Sequence, residues 1–232
     1  PANNQSIIGI FQDSLLGIYR FTREQNEFNK IPQRELMNLL MSVKNINTKN
    51  IRTLSTSFDI LSQILPPLSL KYKTKQYDED KEDYKTSNNV LEIINGKINR
   101  GQIQKSVLGG SGKGLIQRIC NDFGNHQSKE FIDNIQNIVN EYMKQSGYSV
   151  GISDLIADDK TNQIIIDKII TKKKEVQDLI DQTRLGVFTN NTAKSNNEQF
   201  ETEVNEILNA AASETGKIGR KSLSKDNRFV IM

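Results

Sequence analysis

Two apolar stripes with helical spacing fill the last third of the chain, and they limit what this part can fold into. The first stripe runs through Ile166, Ile169, Val176 and Ile180, and Lys173 interrupts it. The second runs through Phe200, Val204, Ile207 and Ala211, after a capping-box pair formed by Ser195 and Glu198. Because a short polar loop separates them, the stripes predict an antiparallel helical hairpin over about 160–186 and 196–215.

Such a hairpin buries only a narrow seam, so it cannot form a core by itself. Its first arm would be about 40 Å long at the rise of an α-helix. We therefore expect it to project from a body, and we place a domain boundary near residue 153, which gives domains 1–153 and 154–232.

The first domain predicts a small helical body that contains a β-hairpin. Helical spacing relates the apolar residues of three segments: Leu36, Leu39, Leu40 and Val43; Phe58, Leu61 and Leu65; and Phe131, Ile135, Ile138 and Tyr142. Residues 90–94 read as a strand, Asn95-Gly96 as a hairpin turn, and 97–104 as the returning strand. Residues 71–89 are charged and repetitive, which predicts an exposed loop. The fold class is therefore α+β and mostly helical.

Composition excludes several classes of protein. The net charge of +3 predicts no general affinity for nucleic acid or for anionic membranes. One cysteine, Cys120, and one histidine, His126, cannot form a disulfide or a Cys/His zinc site, and they suit a reducing, intracellular compartment. No apolar run is long enough for a membrane span. The chain starts at Pro1 and stops at Met232, and we expect it to be an excised fragment.

The glycine-rich run Gly110-Ser111-Gly112-Lys113-Gly114 resembles a phosphate-binding loop only in part. A Walker A loop needs an earlier glycine and a hydroxyl directly after its lysine, and Val107 and Gly114 occupy those positions. Two other interpretations stay open. The run is a tight turn into a helix, or it is a loop whose backbone amides face an anion.

Other candidate groups have structural explanations. The acidic residues Asp154, Asp158 and Asp159 favour helix capping over metal binding, because the spacing lacks the glycine and glutamate of a calcium loop. Lys172-Lys173-Lys174 is typical of a solvated helix face. Cys120 lies on an apolar stripe and reads as a core thiol. No arrangement typical of a catalytic site emerges, so catalytic and metal-binding residues are expected to be absent.

Four segments in order resemble the largest subunits of multisubunit DNA-directed RNA polymerases. Residues 5–17 resemble the phrase P-x-x-G-x-x-Q-D-S-L-L-G, and residues 94–116 resemble a glycine- and lysine-bearing segment ending in G-L-I. Residues 147–158 resemble G-F-S-x-G-I-x-D-x-I-A-D. Residues 200–216 resemble F-E-x-x-V-N-x-x-L-N. The pattern is of the eukaryotic type, with a large DNA virus as one candidate source.

The resemblance implies a pore domain (1–153) and a funnel domain (154–232) around a secondary channel for nucleotides and for the extruded RNA 3′ end. The channel-facing candidates are Gln12, Asp13, Lys105, Ser111, Gly112 and Lys113. The alternative to a channel-facing role is that Gln12 and Asp13 brace the local turn. The candidates for docking a transcript-cleavage factor are Lys172, Lys173 and Lys174. Implied partners are the other polymerase subunits and domains, with DNA reached only through the complete enzyme. Implied locations are the nucleus, a viral factory or a virion.

Several departures from the family pattern limit which family properties the resemblance implies for this chain. The W-T-G-K-Q phrase is here Ser55-Thr56-Ser57-Phe58-Asp59, the second lysine of a K-K pair is Ser106, and A-R-D is Ala211-Ala212-Ser213. The resemblance places the magnesium-binding aspartates of the complete polymerase outside this chain. We therefore expect no cofactor and no catalysis from this chain alone. Two rivals are a stand-alone nucleotide-binding phosphotransferase that uses the glycine-rich run and a coiled-coil adaptor.

Overall fold

A computed structural model describes residues 6–23, 31–44, 46, 53–74, 83–110 and 113–232. The chain divides into two compact units, residues 1–148 and 149–232. Helices predominate, and the described strands form one three-stranded antiparallel sheet. This confirms the prediction of a mostly helical α+β fold. In the described part of the chain, no helix combines the length and the apolar character needed to cross a membrane.

The first unit holds five helices and three strands among its described residues. They are α1 Gln12–Phe21, α2 Gln33–Met41, α3 Ser57–Ser62, β1 Leu70–Lys73, β2 Val90–Ile94, β3 Lys97–Arg100, α4 Lys105–Leu108 and α5 Leu115–Ser146. The helix α5 bends at Gly124, whose φ of 84° is not helical. Its buried face, which includes Phe131, Ile135 and Ile138, packs with α1 and α2 around one apolar core. The helical patterns predicted around Leu36 and Phe131 are thereby confirmed.

The predicted β-hairpin is present, but its second strand is shorter than expected. At the turn, Asn95 and Gly96 have φ values of 48° and 77°. The strand β3 ends at Arg100 and does not continue to residue 104. The next residue, Gly101, has a φ of 107°, and a Cβ there would collide with the backbone of Leu91. A close approach of two chain segments therefore ends the strand at a position where only glycine fits.

The prediction of an exposed loop over 71–89 is wrong for residues 71–73, which form a strand, whereas residues 83–89 form turns in which Asp83, Lys85 and Thr86 are exposed. The strand β1 pairs with β2 from Leu70↔Ile93 to Lys73↔Val90. Beyond the strand, Thr74 is buried and donates a side-chain hydrogen bond of 2.9 Å to the Asn89 carbonyl. Residues 75–82 lie outside the described residues. The charged composition of this segment did not indicate a strand, because the exposed polar side chains of β1 alternate with its half-buried ones.

Arg100 anchors the segment that leads into β2. Its guanidinium lies 3.1 Å from a Glu92 carboxylate oxygen and donates to the carbonyls of Ser87 and Tyr84 at 3.2 and 2.9 Å. Hydrogen bonds from Lys71 first and Arg100 second hold the pKa of Glu92 below its usual range. One cation therefore fixes both a sheet carboxylate and a loop backbone.

The segment that departs from the polymerase phrase, residues 55–59, forms a helix start. The Asp59 backbone N–H donates to the Thr56 hydroxyl at 3.2 Å, and the Asp59 carboxylate accepts from the Thr56 N–H at 3.0 Å. This reciprocal pair is a capping box at the start of α3. Burial raises the pKa of Asp59, but hydrogen bonds from Ser55 and Thr56 outweigh it and lower the pKa overall.

The second unit contains the predicted two-helix hairpin. A 3₁₀ turn, Ile152–Leu155, precedes α6 Asp159–Arg184, α7 Asn196–Ser222 and α8 Arg228–Ile231. The helices α6 and α7 run antiparallel, since the ring centroids of the loop-end residues Phe188 and Phe200 lie 6.3 Å apart, edge to face, while Lys168 pairs with Glu214 at 3.0 Å. The capping box of Ser195 and Glu198 is confirmed. The helix α7 extends to Ser222, seven residues beyond the predicted end.

The seam of α6 differs from the predicted stripe. Ile166 and Ile169 are 48% and 39% exposed. Val176 and Ile180 of the stripe are half-buried as predicted, and the other side chains turned toward the seam are those of Thr161, Ile165, Lys168, Lys172 and Leu179. Two of these positions are lysines, so apolar spacing indicated the neighbouring face in the first half of the helix. On α7 the predicted positions Phe200, Val204, Ile207 and Ala211 are all half-buried.

Candidate functional site at the glycine loop

The N-terminal segment (residues 6–11) crosses the glycine loop (residues 109–114). The Ile10 backbone N–H donates a hydrogen bond of 3.0 Å to the Leu108 carbonyl. A Cβ at Gly9 would lie 2.8 Å from the Gly110 nitrogen, and a Cβ at Gly110 would lie 2.8 Å from the Ser6 carbonyl. The two backbones therefore touch at a point where neither tolerates a side chain.

Two further glycines, at the two ends of this loop, lie directly against backbone carbonyls. A Cβ at Gly109 would lie 2.6 Å from the Lys105 carbonyl, and one at Gly114 would lie 2.7 Å from the Val107 carbonyl. Gly114 holds the position at which a Walker A loop carries its magnesium-binding hydroxyl. Because backbone fills the space there, this loop has no room for that hydroxyl, which argues against the phosphotransferase hypothesis.

The described channel-facing candidates are solvent-exposed and flank this crossing in the sequence. Gln12 and Asp13 begin α1 directly after the N-terminal segment, and Lys105 and Lys113 stand on either side of the glycine loop. Ser111 and Gly112 lie outside the described residues. Gln12 has a φ of 50°, an uncommon value for a residue other than glycine. The crossing thus brings together the two chain segments that carry these candidates, far apart in sequence.

Helix α1 is held against α5 by a close contact and a polar one. A Cβ at Gly17 would lie 2.5 Å from the Val139 Cγ1 atom, so the two helices approach closely there. The Gln136 side-chain amide donates a hydrogen bond to the Ser14 hydroxyl. The direction of α1, and with it the placement of Gln12 and Asp13, is therefore set by α5.

Arg20, at the other end of α1, was missed by the sequence analysis. Its guanidinium donates to the Gly147 carbonyl at 2.6 Å and lies 4.7 Å from the Tyr148 ring centroid and 5.9 Å from that of Tyr142. Arginine suits both tasks, because its planar group stacks on rings while its N–H groups donate. No local signal reveals this clamp, since its partners lie more than 120 residues away.

Comparison with known proteins gives a match to the family described as RNA polymerase Rpb1, domain 3, over residues 1–155. The match covers 155 of the 232 residues. The chain belongs to the RNA polymerase Rpb1 domain 3 family. This confirms the resemblance to polymerase largest subunits and includes the crossing, the Arg20 clamp and the capped helix α3.

Two relatives of this family member come from Trypanosoma brucei brucei. They are the DNA-directed RNA polymerase II subunits RPB1-A and RPB1-B, and each is 26% identical to the chain over 241 aligned positions. The alignments cover 100% of this chain, so they include the α6–α7 hairpin, which lies beyond the Rpb1 domain 3 match. The chain spans 13% of the length of these relatives.

The acidic candidates of this Rpb1 domain 3 protein, Asp154, Asp158 and Asp159, all lie at helix starts. The Asp154 carboxylate accepts from the Gly151 N–H at 2.8 Å at the 3₁₀ turn. Asp159 lies in the first turn of α6, while Asp158 occupies the N-cap position without a side-chain capping bond. Within the described ranges, no three His, Cys, Asp or Glu side chains are grouped so as to hold a metal ion.

The three consecutive lysines point to different sides of α6, because neighbouring residues of a helix are about 100° apart. Lys172 lies at the seam, where its amine contacts Glu175 at 2.7 Å, and the hydrogen bond that it donates to Glu175 raises the pKa of Lys172. Lys173 and Lys174 are exposed. A single basic patch built from all three side chains therefore does not form.

Proposed function

We propose that this chain forms the pore and funnel of the largest subunit of a multisubunit RNA polymerase, with the pore in residues 1–153 and the funnel in 154–232. The single observation that carries the proposal is the crossing of the N-terminal segment and the glycine loop within the Rpb1 domain 3 match. It joins two of the four segments whose sequences resemble the polymerase pattern.

In this proposal the crossing borders the secondary channel. Exposed lysine side chains at Lys105 and Lys113 would attract the phosphates of entering nucleotides or of an extruded RNA 3′ end. Among the described glycines of the loop, Gly110 is exposed, and phosphate oxygens would approach its backbone closely. Gln12 and Asp13 would border the same passage or brace its turn. The rest of the polymerase would supply the magnesium ions and the catalytic aspartates.

The α6–α7 hairpin supports the funnel assignment. It is a two-helix element whose connecting loop is organised by Asn190, which donates a hydrogen bond to the Lys194 carbonyl and accepts one from the Thr192 N–H. In the proposal this hairpin forms the rim at which a transcript-cleavage factor docks. The partners are the other polymerase subunits, DNA is contacted only through the complete enzyme, and the location is the nucleus.

Purification of the protein from its source through an affinity tag tests polymerase membership. We expect the other polymerase subunits to co-purify at equal stoichiometry, and the complex to extend RNA on a DNA template. Recovery of the tagged protein without any polymerase subunit would contradict the proposal. A nucleotide-binding phosphotransferase would instead hydrolyse Mg-ATP without DNA.

A further inference from the structure

The sulfur of Met143 lies beside two hydrogen-bond donors at the end of α5. The Arg20 guanidinium donates to the Met143 Sδ atom at 3.8 Å, and the Ser146 hydroxyl donates to it at 3.9 Å. The two donor atoms are themselves 3.4 Å apart, so they lie on the same side of the sulfur. Because a thioether sulfur is a weak acceptor, it uses little of the strength that a cationic donor offers.

Helix α1 bounds the thioether elsewhere. A Cβ at Gly17 would lie 2.8 Å from the Met143 Cγ atom and 3.2 Å from its Sδ atom, so the backbone of α1 packs directly against this side chain. Met143 is half-buried, whereas Ser146 beside it is exposed. The donor side of the sulfur is therefore the side nearer to solvent, and the α1 side is closed.

We propose that Met143 is a site of oxidation by hydrogen peroxide, and that the resulting sulfoxide oxygen accepts hydrogen bonds from Arg20 and Ser146. A sulfur lone pair attacks one peroxide oxygen, so that a sulfur–oxygen bond forms and the oxygen–oxygen bond breaks. The sulfur loses two electrons, and the departing hydroxide takes the proton from the transferred oxygen to become water. The proposal does not depend on the polymerase assignment, because it rests on contacts within the first unit alone.

The distances between the sulfur and its donors fit an added oxygen atom. A sulfur–oxygen bond of about 1.5 Å and a hydrogen bond of about 2.9 Å, meeting at about 120°, place the sulfur and the donor about 3.9 Å apart. The donors of Arg20 and Ser146 already lie at 3.8 and 3.9 Å. The oxygen therefore enters without displacing either donor, and the cation gains a strong acceptor in place of a weak one.

The stereochemistry of the product tests which side of the sulfur is open. The whole chain is treated with peroxide and digested, and its peptides are incubated with either class of methionine sulfoxide reductase, each of which accepts one epimer. Because α1 closes one side, we expect one class to reduce at least about tenfold more of the Met143 sulfoxide than the other class does. Met41 is the internal control, since it is 79% exposed and its sulfoxide should be reduced in part by both classes.

Thermal melting before and after oxidation tests the hydrogen bonds. The background for this test retains Met143 as its only sulfur-containing residue and carries the substitutions Met37→Leu, Met41→Leu, Met232→Leu and Cys120→Ser. Oxidation should lower the Tm of this background by less than about 2 °C, because the new oxygen is hydrogen-bonded. With Arg20→Ala added, oxidation should lower the Tm by about 4 °C or more, since the half-buried oxygen then lacks its charged donor. Comparing each variant with its own oxidised form removes the cost of the substitution itself.

Arg34→Ala is the matched control for the melting test, because Arg34 is exposed on α2. With this substitution, oxidation should change the Tm as it does in the background. Three results would overturn the proposal: equal reduction of the Met143 sulfoxide by both reductase classes, no sulfoxide at Met143 after complete oxidation of Met41, or equal changes in Tm with and without Arg20→Ala. The epimer measurement needs no variant, so it decides the matter even if Arg20→Ala fails to fold.

Discussion

The Ile10 backbone N–H lies 3.0 Å from the Leu108 carbonyl oxygen, and this bond joins two segments that are remote in sequence. Gly9 and Gly110 flank the bond, and each lacks room for a side chain because the other strand of the crossing occupies it. The crossing is therefore a fixed backbone contact, and the residues around it keep a defined placement.

Substitution at the crossing should destabilise the first unit. Gly9→Val is expected to cost about 2–3 kcal/mol, because the clashing atoms belong to backbone that cannot rotate away. Urea unfolding followed by circular dichroism measures the change. Gly216→Ala is the control, since nothing lies within 4 Å of a Cβ there. It should be neutral or should stabilise α7 by up to about 1 kcal/mol. Equal stability of Gly9→Val and wild type would disprove the close contact.

We expect that a serine hydroxyl placed at position 114 does not give the glycine loop nucleotide hydrolysis activity. Gly114→Ser supplies the residue that a Walker A loop needs, yet its Cβ would lie 2.7 Å from the Val107 carbonyl. We predict a loss of stability of about 1–3 kcal/mol. Calorimetric titration with Mg-ATP should show no micromolar binding in wild type, Gly114→Ser or Lys113→Ala. Binding that Lys113→Ala removes would favour the phosphotransferase hypothesis.

The stability supplied by the Arg20 contacts should depend on the planar shape of the guanidinium group. Arg20→Ala is expected to cost about 1–2 kcal/mol through the lost hydrogen bonds and ring contacts. Arg20→Lys keeps the charge and should recover only part of this, because lysine lacks the planar guanidinium. Exposed Arg34 is the control, and Arg34→Ala should change stability by less than about 0.5 kcal/mol. Denaturant midpoints separate these cases, and full recovery by lysine would argue against ring stacking.

The capping box at α3 predicts a specific acid dependence. The folded protein lowers the pKa of Asp59 overall, so the ionised carboxylate stabilises the fold above the ordinary aspartate pKa. This contribution is lost as the pH falls below about 4 and through the lowered value. Asp59→Asn should therefore approach wild-type stability in acid and differ most near neutrality. Thr56→Ala should cost about 1 kcal/mol near neutrality and less in acid, because the Thr56 side chain also lowers the pKa of Asp59. A constant offset for Asp59→Asn in thermal melts from pH 3 to 7 would contradict this.

Local signals predicted the elements that depend on neighbouring residues. The Asn95-Gly96 turn, the Ser195–Glu198 capping box and the stripe of α7 all act within a few positions, and each is confirmed. The first half of the α6 seam was misplaced because Lys168 and Lys172 occupy it, whereas Val176 and Ile180 are half-buried as predicted. The charges of the two lysines are matched by Glu214 and Glu175, and Glu214 is contributed by the other helix.

The rest of the candidate site depends on contacts that no local pattern encodes. The strand β1 forms by pairing with β2, and the crossing forms by the contact of Leu108 with Ile10. Both contacts join segments that are remote in the sequence. The sequence named the residues that flank the crossing only through a family resemblance. The glycine-rich run indicated a tight turn or an anion-facing loop, and neither interpretation reveals which backbone fills the space beside each glycine.

Mapping of the extruded RNA 3′ end in the purified polymerase tests the central claim most directly. A photoreactive nucleotide is placed at the 3′ end, the complex is backtracked by nucleotide withdrawal, and the crosslinked residues are identified by mass spectrometry. The account predicts crosslinks within residues 6–13 and 105–113, weakened by Lys105→Ala with Lys113→Ala. Crosslinks that fall entirely outside residues 1–153 would contradict it.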